Sequence, residues 1–305
     1  MIWKIKQVGF SEPTVAFITS YLSDRQIKLK VNGIKSNPVL LKAGTPQGAI
    51  ISPTLFNIWV HDIPTPPEGV TMSQYADDIA TWVKNRNYVT ARDNLNKFNN
   101  DLLEWCKRWR IMLCADKTQV IAFHRKPLSN PRAIYQVLDG TKIYGGKTVE
   151  FLGIIIDNKM TLKEQHQKTM KELKRRRKMF AGITGSTNKP RASSNICLKI
   201  LKSMIVPITA YAPTMTCLKT DKMFEEQDVQ LRIAGRLAIH APPGTRNEYI
   251  TKKTGIEATK LRTQSLGKRY LEDIARSQSM KEYIISQKAR NKRNKRVETP
   301  LEKVF

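Results

Sequence analysis

The sequence contains 305 residues, 40% of them hydrophobic, and its 53 Lys and Arg against 26 Asp and Glu leave a formal net charge of +27. Recurring apolar runs exclude a wholly disordered protein, and no run approaches the roughly 18 uninterrupted apolar residues of a membrane-spanning helix. The first ten residues lack the features of a secretory leader, and the four cysteines form no C-x-x-C pair, which argues against a zinc knuckle. We expect an intracellular protein of the nucleus or cytoplasm, with no membrane partner, that binds a polyanion such as nucleic acid.

The first half of the chain alternates between helix and strand patterns. Apolar residues spaced three and four apart predict helices, and alternation on either side of Asn32-Gly33 predicts a β-hairpin. In chain order the predicted elements are a helix over 11–22, a hairpin over 27–41, a helix after Ser52-Pro53, two short strands over 70–83 around a turn at 76–78, an amphipathic helix over 91–109, and single strands over 120–123 and 151–156.

The second half of the chain is predicted to be helical. Strand patterns fade after Asp157, and helices are expected over 161–180, 195–205, 221–240 and 258–287. The residues after Lys288 contain too few apolar side chains to fold alone. Together the two halves predict an α+β fold in which an antiparallel or mixed sheet carries helices on one face and a helical region follows.

A loop that contains two glycines precedes the predicted helix at Ser52. Its sequence, AGTPQG at 43–48, allows a ligand to approach the backbone closely, and the amide of Gln47 can hydrogen-bond a sugar, base or phosphate. Taken alone, such a loop is more often a simple helix entry.

Two adjacent carboxylates occupy the predicted turn between the strands of 70–83. The segment is Tyr75-Ala76-Asp77-Asp78, and two carboxylates close together suit Mg²⁺, which binds through a few carboxylates and substrate phosphates. The alternative is a solvated Asp-Asp β-turn without a ligand.

Two further segments are weak signals alone and indicate a function only through their order after the two motifs above. Lys117, within Asp116-Lys117-Thr118, is predicted to open a strand from which it can reach a phosphate. The segment Phe151-Leu152-Gly153 begins an apolar strand, which alone indicates core packing.

Basic residues cluster in two places. Residues 159–180 contain nine basic and two acidic side chains, and residues 281–296 contain seven basic and one acidic. A solvated helix face and a basic tail are the alternatives to a binding surface, but either patch would attract phosphate backbones in a salt-dependent way. The densest run is Lys174, Arg175, Arg176, Arg177 and Lys178.

The order and spacing of these motifs closely resemble the reverse transcriptase of non-LTR (LINE-type) retrotransposons, in particular the jockey-like insect elements. AGTPQGAIISPTLFNIWVHDIP at 43–64 is similar to motif B of that family, and QYADDIA at 74–80 is similar to motif C. DKTQVIAF at 116–123 and FLGIIID at 151–157 resemble motifs D and E, and 196–255, with PITAYAP at 207–213, resembles the thumb and downstream region.

The resemblance implies RNA-directed DNA polymerase activity with two Mg²⁺ ions, an RNA template, a DNA primer and deoxynucleoside triphosphates. By resemblance Asp77 and Asp78 are metal ligands, and Lys117 assists the departure of pyrophosphate. The residues that would contact the incoming nucleotide or the primer end are Pro46, Gln47, Gly48, Tyr75 and Ala76. Phe151, Leu152 and Gly153 would form the primer grip, and the basic run 174–178 would follow the nucleic-acid backbone.

The resemblance also implies a division of the chain, with one departure from the family. The expected parts are a fingers and palm remnant with a hairpin (1–42), a palm with motifs B to E (43–157), a helical thumb and downstream region (158–287) and a basic tail (288–305). No segment resembles motif A, which carries a third catalytic aspartate, so we expect an N-terminally truncated fragment that is inactive alone. The alternative function is a non-catalytic nucleic-acid-binding remnant. A second alternative is a group II intron maturase, which the jockey-like sequence of 43–64 disfavours.

Overall fold

The computed structural model describes residues 1–124, 131–186 and 189–276. The chain divides into two compact units. The first contains residues 1–120 and 131–145, and the second contains residues 121–124 and the described residues from Gly146 onward. The mixture of helices and strands expected from the sequence is confirmed. The basic cluster at 281–296, the tail at 288–305 and the last part of the helix predicted over 258–287 lie outside the described residues.

Three helices form the beginning of the first unit: α1 (Ile2–Val8), α2 (Glu12–Leu22) and α3 (Ser52–Val60). The predicted α2 has a proline in its first turn, where a missing N–H leaves no helical hydrogen bond unmade. Helix α1 is not among the predicted elements, since seven residues contain too few turns to show a periodicity. The apolar sides of the three helices meet in a small core made by Ile5, Val15, Ile18 and Leu55.

The buried ammonium of Lys4 links α1 to α3 and to the residues that follow α3. Lys4 is fully buried, and its Nζ lies 2.6 Å from Asp62 Oδ1 and also donates to the Trp59 carbonyl. The same ammonium lies over the rings of Trp59, Trp105 and Trp109, at 3.7 Å from the centroid of Trp109. Asp62 also accepts a hydrogen bond from Trp105 Nε1 at 3.0 Å. Burial acts to raise the pKa of Asp62, but the hydrogen bonds from Lys4 and Trp105 outweigh it and hold the pKa below its usual value.

A β-ribbon, residues 26–40, follows α2. Its tip is the predicted turn, where Asn32 and Gly33 both have positive φ (51° and 84°), as a two-residue type I′ hairpin requires. Every residue of the ribbon is exposed. Its two short antiparallel ladders are β1 (Gln26–Ile27) with β4 (Val39–Leu40), and β2 (Lys30–Val31) with β3 (Ile34–Lys35).

A second hairpin packs against the longest helix of the first unit. Strands β5 (Val70–Tyr75) and β6 (Asp78–Val83) are antiparallel, and α4 spans Tyr88–Trp109. Asn87 caps α4 by accepting from the amide of Val89 at 2.9 Å. The core under this hairpin contains Leu102, Trp105 and Cys106, with Ile79 packed against it. The two strands and the amphipathic helix are therefore confirmed.

A three-stranded sheet follows, in the order β7-β9-β8, built from β7 (Val120–Ile121), β8 (Tyr135–Leu138) and β9 (Thr141–Gly146). The predicted elements include β7 but not β8 or β9. The residues before Asp139-Gly140 (IYQVL at 134–138) form a nearly continuous apolar run rather than a clear alternation, although the Asp139-Gly140 dipeptide itself favours a hairpin. α4 holds β8 in place, because Asn96 Oδ1 accepts from the Val137 amide at 2.8 Å.

The second unit begins with a hairpin, β10 (Thr148–Phe151) and β11 (Ile154–Asp157), followed by α5 (Lys163–Thr184). The prediction of one strand over 151–156 is wrong, since the chain reverses at Leu152-Gly153. The remaining described elements are β12 (Gly185–Ser186), β13 (Lys189–Pro190), α6 (Ser194–Ile200), a π-helical segment (Leu201–Ile205), α7 (Val206–Thr209), α8 (Pro213–Thr216), α9 (Asp221–Ala238), α10 (Asn247–Thr254) and α11 (Thr259–Ile274).

The helices of the second unit share one core. Its buried members come from α5, α6 with the following π-helical segment, α7 and α9, and include Leu173, Phe180, Leu201, Ile205 and Leu231. The predicted helices over 161–180, 195–205 and 221–240 are confirmed, whereas the short α10 is not among the predicted elements. Within the described part of the chain, no helix is long and apolar enough to span a bilayer.

Candidate active site

The adjacent carboxylates lie at the tip of the β5–β6 hairpin. Tyr75 pairs with Asp78 across the hairpin, which leaves Ala76 and Asp77 as the two turn residues. Ala76 has a φ of 52°, a left-handed conformation that a Cβ disfavours. Gln74 holds the turn, because its Nε2 donates to the Ala76 carbonyl at 3.0 Å. A tight turn with one strained residue thus presents both carboxylates at the end of a supported hairpin.

Both carboxylates are open to solvent. Asp77 and Asp78 are exposed, and the neighbouring Tyr75 has 67% of its surface accessible. One face of the hairpin, which includes Ile79, turns toward the α4 core, while Tyr75, Asp78 and Trp82 lie on the opposite, open face. Because water reaches both carboxylates, neither is a buried polar group that requires a cationic partner.

The donor set at this turn fits Mg²⁺. This hard cation prefers oxygen ligands and is usually held by one or two carboxylates together with substrate phosphates and water. Among the residues that the structure describes, no group of three or more His, Cys, Asp or Glu is arranged to hold a metal. Asp77 and Asp78 are thus the residues at this turn that could hold such an ion, with water or ligand oxygens completing its coordination.

The loop before α3 is hydrogen-bonded to the helix through Pro46, whereas its residues Gln47 and Gly48 are exposed to solvent. Ser52 Oγ donates to the Pro46 carbonyl at 2.6 Å, which ties the loop to the first turn of α3. Gln47 and Gly48 are exposed, and Gly48 has a φ of 79°, which favours glycine at this position. The Gln47 amide is therefore available to a ligand from a loop of defined conformation.

Lys117 does not open a strand, so that prediction is wrong. It ends a short 3₁₀ turn, Ala115–Lys117, and β7 begins three residues later at Val120. Thr118 closes this turn, since both its amide (3.1 Å) and its Oγ1 (2.8 Å) donate to the Cys114 carbonyl. The Lys117 side chain is exposed and reaches into solvent from the turn.

The Phe151-Leu152-Gly153 segment forms the turn of the β10–β11 hairpin. Leu152 and Gly153 both have positive φ (48° and 79°), the signature of a type I′ turn. Two side chains of the same unit hold the turn carbonyls: Tyr211 Oη donates to the Leu152 carbonyl at 2.7 Å, and Lys168 Nζ donates to the Gly153 carbonyl at 3.2 Å. The turn is therefore fixed on both sides, although it is exposed.

Asp157 fixes the connection between this hairpin and α5. Its buried carboxylate accepts from the amides of Lys159, Thr161 and Leu162 at 3.1, 3.0 and 2.6 Å. Met160 and Leu162 both have positive φ, so the carboxylate stabilises a strained connection. Burial acts to raise the pKa of Asp157, but the backbone hydrogen bonds outweigh it and lower the pKa.

We predict that Asp157→Ala destabilises the second unit by about 3 kcal/mol, since three backbone amides, that of the buried Leu162 among them, lose a charged acceptor. Asp157→Asn should cost about half as much, because it keeps an oxygen acceptor without the charge. Since folding lowers the pKa of Asp157, its stabilising effect exists above the carboxyl pKa of the unfolded chain and is lost as the pH falls through the folded value. Denaturant titrations at pH 7 and in acid measure both effects; equal stability of the variants and the native protein at pH 7 would contradict them.

The basic run on α5 is divided between structural and open side chains. Glu172 binds Arg175 (Oε1 to Nη2, 2.7 Å) and Arg176 (Oε1 to Nε, 2.6 Å), and these bonds lower the pKa of Glu172 to about 2. Arg176 Nη1 also donates to the Met204 carbonyl at 2.8 Å, so this guanidinium anchors α5 to the π-helical segment. Lys174 and Lys178 are exposed, and Arg177 is half-buried.

The predicted site residues are therefore distributed over both units. The first unit contains the loop with Gln47, the Asp77-Asp78 turn and Lys117, and the second contains the Leu152-Gly153 turn and the basic helix. No role is predicted for Lys168 or Tyr211 from the sequence. The aromatic residue within PITAYAP, a segment singled out by the resemblance, is the one signal that could have indicated Tyr211.

The sequence of this chain is similar to those of known polymerases. A family profile described as reverse transcriptase (RNA-dependent DNA polymerase) matches residues 3–156. The probable RNA-directed DNA polymerase from transposon BS of Drosophila melanogaster is 31% identical over 168 residues, which are 53% of this chain and 18% of that protein. The RNA-directed DNA polymerase from mobile element jockey of the same species is 25% identical over 218 residues, 69% of this chain and 23% of that protein.

A third relative extends the match further along the chain. The probable RNA-directed DNA polymerase from transposon X-element of Drosophila melanogaster is 24% identical over 236 residues, 76% of this chain and 25% of that protein. The chain thus spans a quarter or less of the length of the curated relatives that it matches.

Proposed function

Because the chain belongs to the reverse transcriptase (RNA-dependent DNA polymerase) family, we propose that it takes part in RNA-templated DNA synthesis by a non-LTR mobile element. Its substrates would be an RNA template, a DNA primer and deoxynucleoside triphosphates, which meet inside the cell, in the nucleus or cytoplasm. The observation that carries this proposal is the exposed Asp77-Asp78 pair at the tip of a supported hairpin, within the region that matches the family.

The first unit would provide the chemistry. Asp77 and Asp78 would hold divalent metal at the primer end, and Gln47 would hydrogen-bond the incoming nucleotide. When bound, two Mg²⁺ ions supply positive charge to the attacking 3′-hydroxyl and to the triphosphate. The exposed ammonium of Lys117 would neutralise or protonate the leaving pyrophosphate. Pro46, Gly48, Tyr75 and Ala76 would shape the nucleotide pocket.

The second unit would hold nucleic acid. The Leu152-Gly153 turn, with Phe151 before it, would support the primer strand, and the open basic residues of α5 would follow the backbone. Arg175 and Arg176 are engaged by Glu172, which leaves Lys174, Arg177 and Lys178 as the better candidates of the basic run. In family terms we propose a fingers and palm remnant over 1–42, a palm over 43–157, a helical thumb and downstream region over 158–287 and a basic tail over 288–305.

The function is tested by primer extension on an RNA template with all four deoxynucleoside triphosphates. DNA synthesis should require Mg²⁺ and an RNA template, and a chelator should stop it. We propose that motif A supplies the third carboxylate of the family, so a form joined to a motif A segment should be more active than the 305-residue chain.

A second candidate function is nucleic-acid binding without polymerisation. The observation that favours it is that the described residues place two carboxylates at the turn and no metal-holding group of three. Salt-dependent binding of nucleic acid, without DNA synthesis by either form, would support this candidate over the polymerase.

We predict that Tyr211→Phe weakens primer–template binding by about 3- to 10-fold, because one neutral hydrogen bond contributes about 1 kcal/mol. The phenyl ring remains, so the variant removes only the hydroxyl and its bond to the Leu152 carbonyl. Fluorescence anisotropy with a labelled primer–template measures the change. Tyr249→Phe, at a similarly exposed tyrosine of α10, is the matched control. Equal affinities of the two variants would remove Tyr211 from the primer site.

A further inference from the structure

We propose that the β-ribbon of residues 26–40 binds the phosphodiester backbone of nucleic acid through Lys28, Lys30 and Lys35. The proposal rests on the proposed function in one respect: a polymerase of this family brings nucleic acid to the protein. The ribbon itself lies outside the four motifs on which the catalytic proposal is based.

The ribbon separates basic and apolar side chains onto two faces. In the second ladder Lys30 is opposite Lys35, and Val31 is opposite Ile34. Side chains on neighbouring positions of a strand point to opposite faces, so the two lysines share one face and the two apolar residues share the other. Lys28 lies two residues before Lys30, the spacing that returns an extended chain to the same face.

The lysine face lacks neutralising charge. Like charges directly opposite each other in a sheet are destabilising, and the Lys30–Lys35 pair is such an arrangement. Among the ion pairs of the described residues, none involves Lys28, Lys30 or Lys35. The sequence also contains no Asp or Glu between Asp24 and Asp62. A polyanion would relieve this repulsion, which no acidic residue of the ribbon itself can do.

The ribbon is fixed to the loop that we propose to contact the nucleotide. Arg25, at the base of the ribbon, donates from Nη2 to the carbonyls of Ala43 and Gly44 at 3.0 and 2.6 Å. Its own carbonyl accepts from the Leu41 amide at 2.7 Å. Nucleic acid that engages the loop at Gln47 would therefore meet a ribbon with a fixed base rather than a free strand pair.

The face arrangement favours nucleic acid over a lipid surface. On a membrane the apolar face would insert, and the three lysines on the opposite face would point away from the headgroups. On nucleic acid the lysine face itself makes the contact, and a two-stranded ribbon is narrow enough to enter a major groove or to follow a single backbone.

The test compares the salt dependence of nucleic-acid binding by the full chain and by the triple variant Lys28→Gln, Lys30→Gln and Lys35→Gln. With a primer–template duplex, we expect the slope of log K against log salt concentration to fall in magnitude by about 2 to 3, since each neutralised phosphate contributes about 0.9. The matched control is Lys84→Gln, Lys252→Gln and Lys253→Gln, which removes the same charge from other exposed positions and should leave most of the slope in place.

Three results would overturn the proposal. The first is an unchanged slope in the ribbon variant, and the second is an equal loss in the control variant, which would show an effect of net charge alone. The third is a variant that loses binding to phosphatidylserine vesicles while it retains duplex binding.

If the variant unfolds, acetylation of the lysines of the native protein replaces it as the test. Bound duplex should protect Lys28, Lys30 and Lys35 from acetylation, and equal acetylation with and without duplex would contradict the proposal. None of these measurements depends on DNA synthesis, so they can fail or succeed independently of the polymerase assay.

Discussion

Asp77→Asn should lower Mg²⁺-dependent primer extension by about 10³-fold or more, equivalent to about 4 kcal/mol of transition-state stabilisation. The change keeps the size of the side chain and its place in the β5–β6 turn, but removes the charge that attracts the metal ions. Because the carboxylate is exposed and supports no buried contact, the fold should be unaffected. The measurement is the initial rate of nucleotide incorporation by the form joined to a motif A segment.

The matched control is Asp101→Asn, which removes an exposed carboxylate of α4 in the first unit, outside the turn. It should change the rate by less than about threefold, as expected for a surface charge away from the chemistry. Nucleic-acid binding should survive in both variants, since it depends on Lys and Arg side chains elsewhere. Primer extension that persists in Asp77→Asn would remove the Asp77-Asp78 turn from the active site.

Asp62→Ala should destabilise the first unit by about 3 kcal/mol, because the fully buried Lys4 ammonium loses its partly exposed carboxylate partner. Lys4 is fully buried, so its ammonium cannot turn to water when the carboxylate is lost. Trp105 Nε1 loses its acceptor in the same variant. All five tryptophans of the sequence lie in the first unit, so denaturation followed by tryptophan fluorescence reports on this unit.

Two comparisons separate charge from packing. The double variant Lys4→Met with Asp62→Ala should be more stable than Asp62→Ala alone, because it no longer buries an unpaired cation. Since folding lowers the pKa of Asp62, the difference between native protein and Asp62→Ala should be full at neutral pH and shrink as the pH falls below the carboxyl range. Equal stabilities of the single and double variants would show that the contacts of Lys4 with the three tryptophan rings, and not its ion pair with Asp62, stabilise its buried ammonium.

Local patterns predict most of the elements near the candidate site. The Asn32-Gly33 turn, the strands around Asp77 and the amphipathic α4 follow from turn chemistry and periodicity, which act between neighbours in sequence. The Leu152-Gly153 turn is not predicted because an unbroken apolar run hides a reversal that depends on the left-handed conformation of two residues. The resemblance, and not the pattern, is what draws attention to this segment.

Contacts between residues distant in sequence account for the rest. Tyr211 binds a carbonyl 59 positions earlier in the chain, and Lys4 meets its carboxylate 58 positions later. Neither pairing leaves a periodic signal in the sequence, because each depends on how helices and hairpins pack after they form. A lone lysine in a seven-residue helix indicates a solvated charge, yet Lys4 is the largest fully buried side chain in the part of the chain that the structure describes.

The open apolar side of the ribbon has a consequence for colloidal behaviour. Ile27, Leu29 and Val31 are all more than half exposed. Both long edges of the ribbon carry unpaired backbone groups, so the ribbons of two copies can pair through backbone hydrogen bonds. At low ionic strength the lysines on the other side keep copies apart by mutual repulsion. Concentrated salt, the usual means of stripping adhering polyanions during purification, screens that repulsion and leaves the apolar attraction intact. Preparations freed of nucleic acid in this way should therefore be the ones most prone to precipitate.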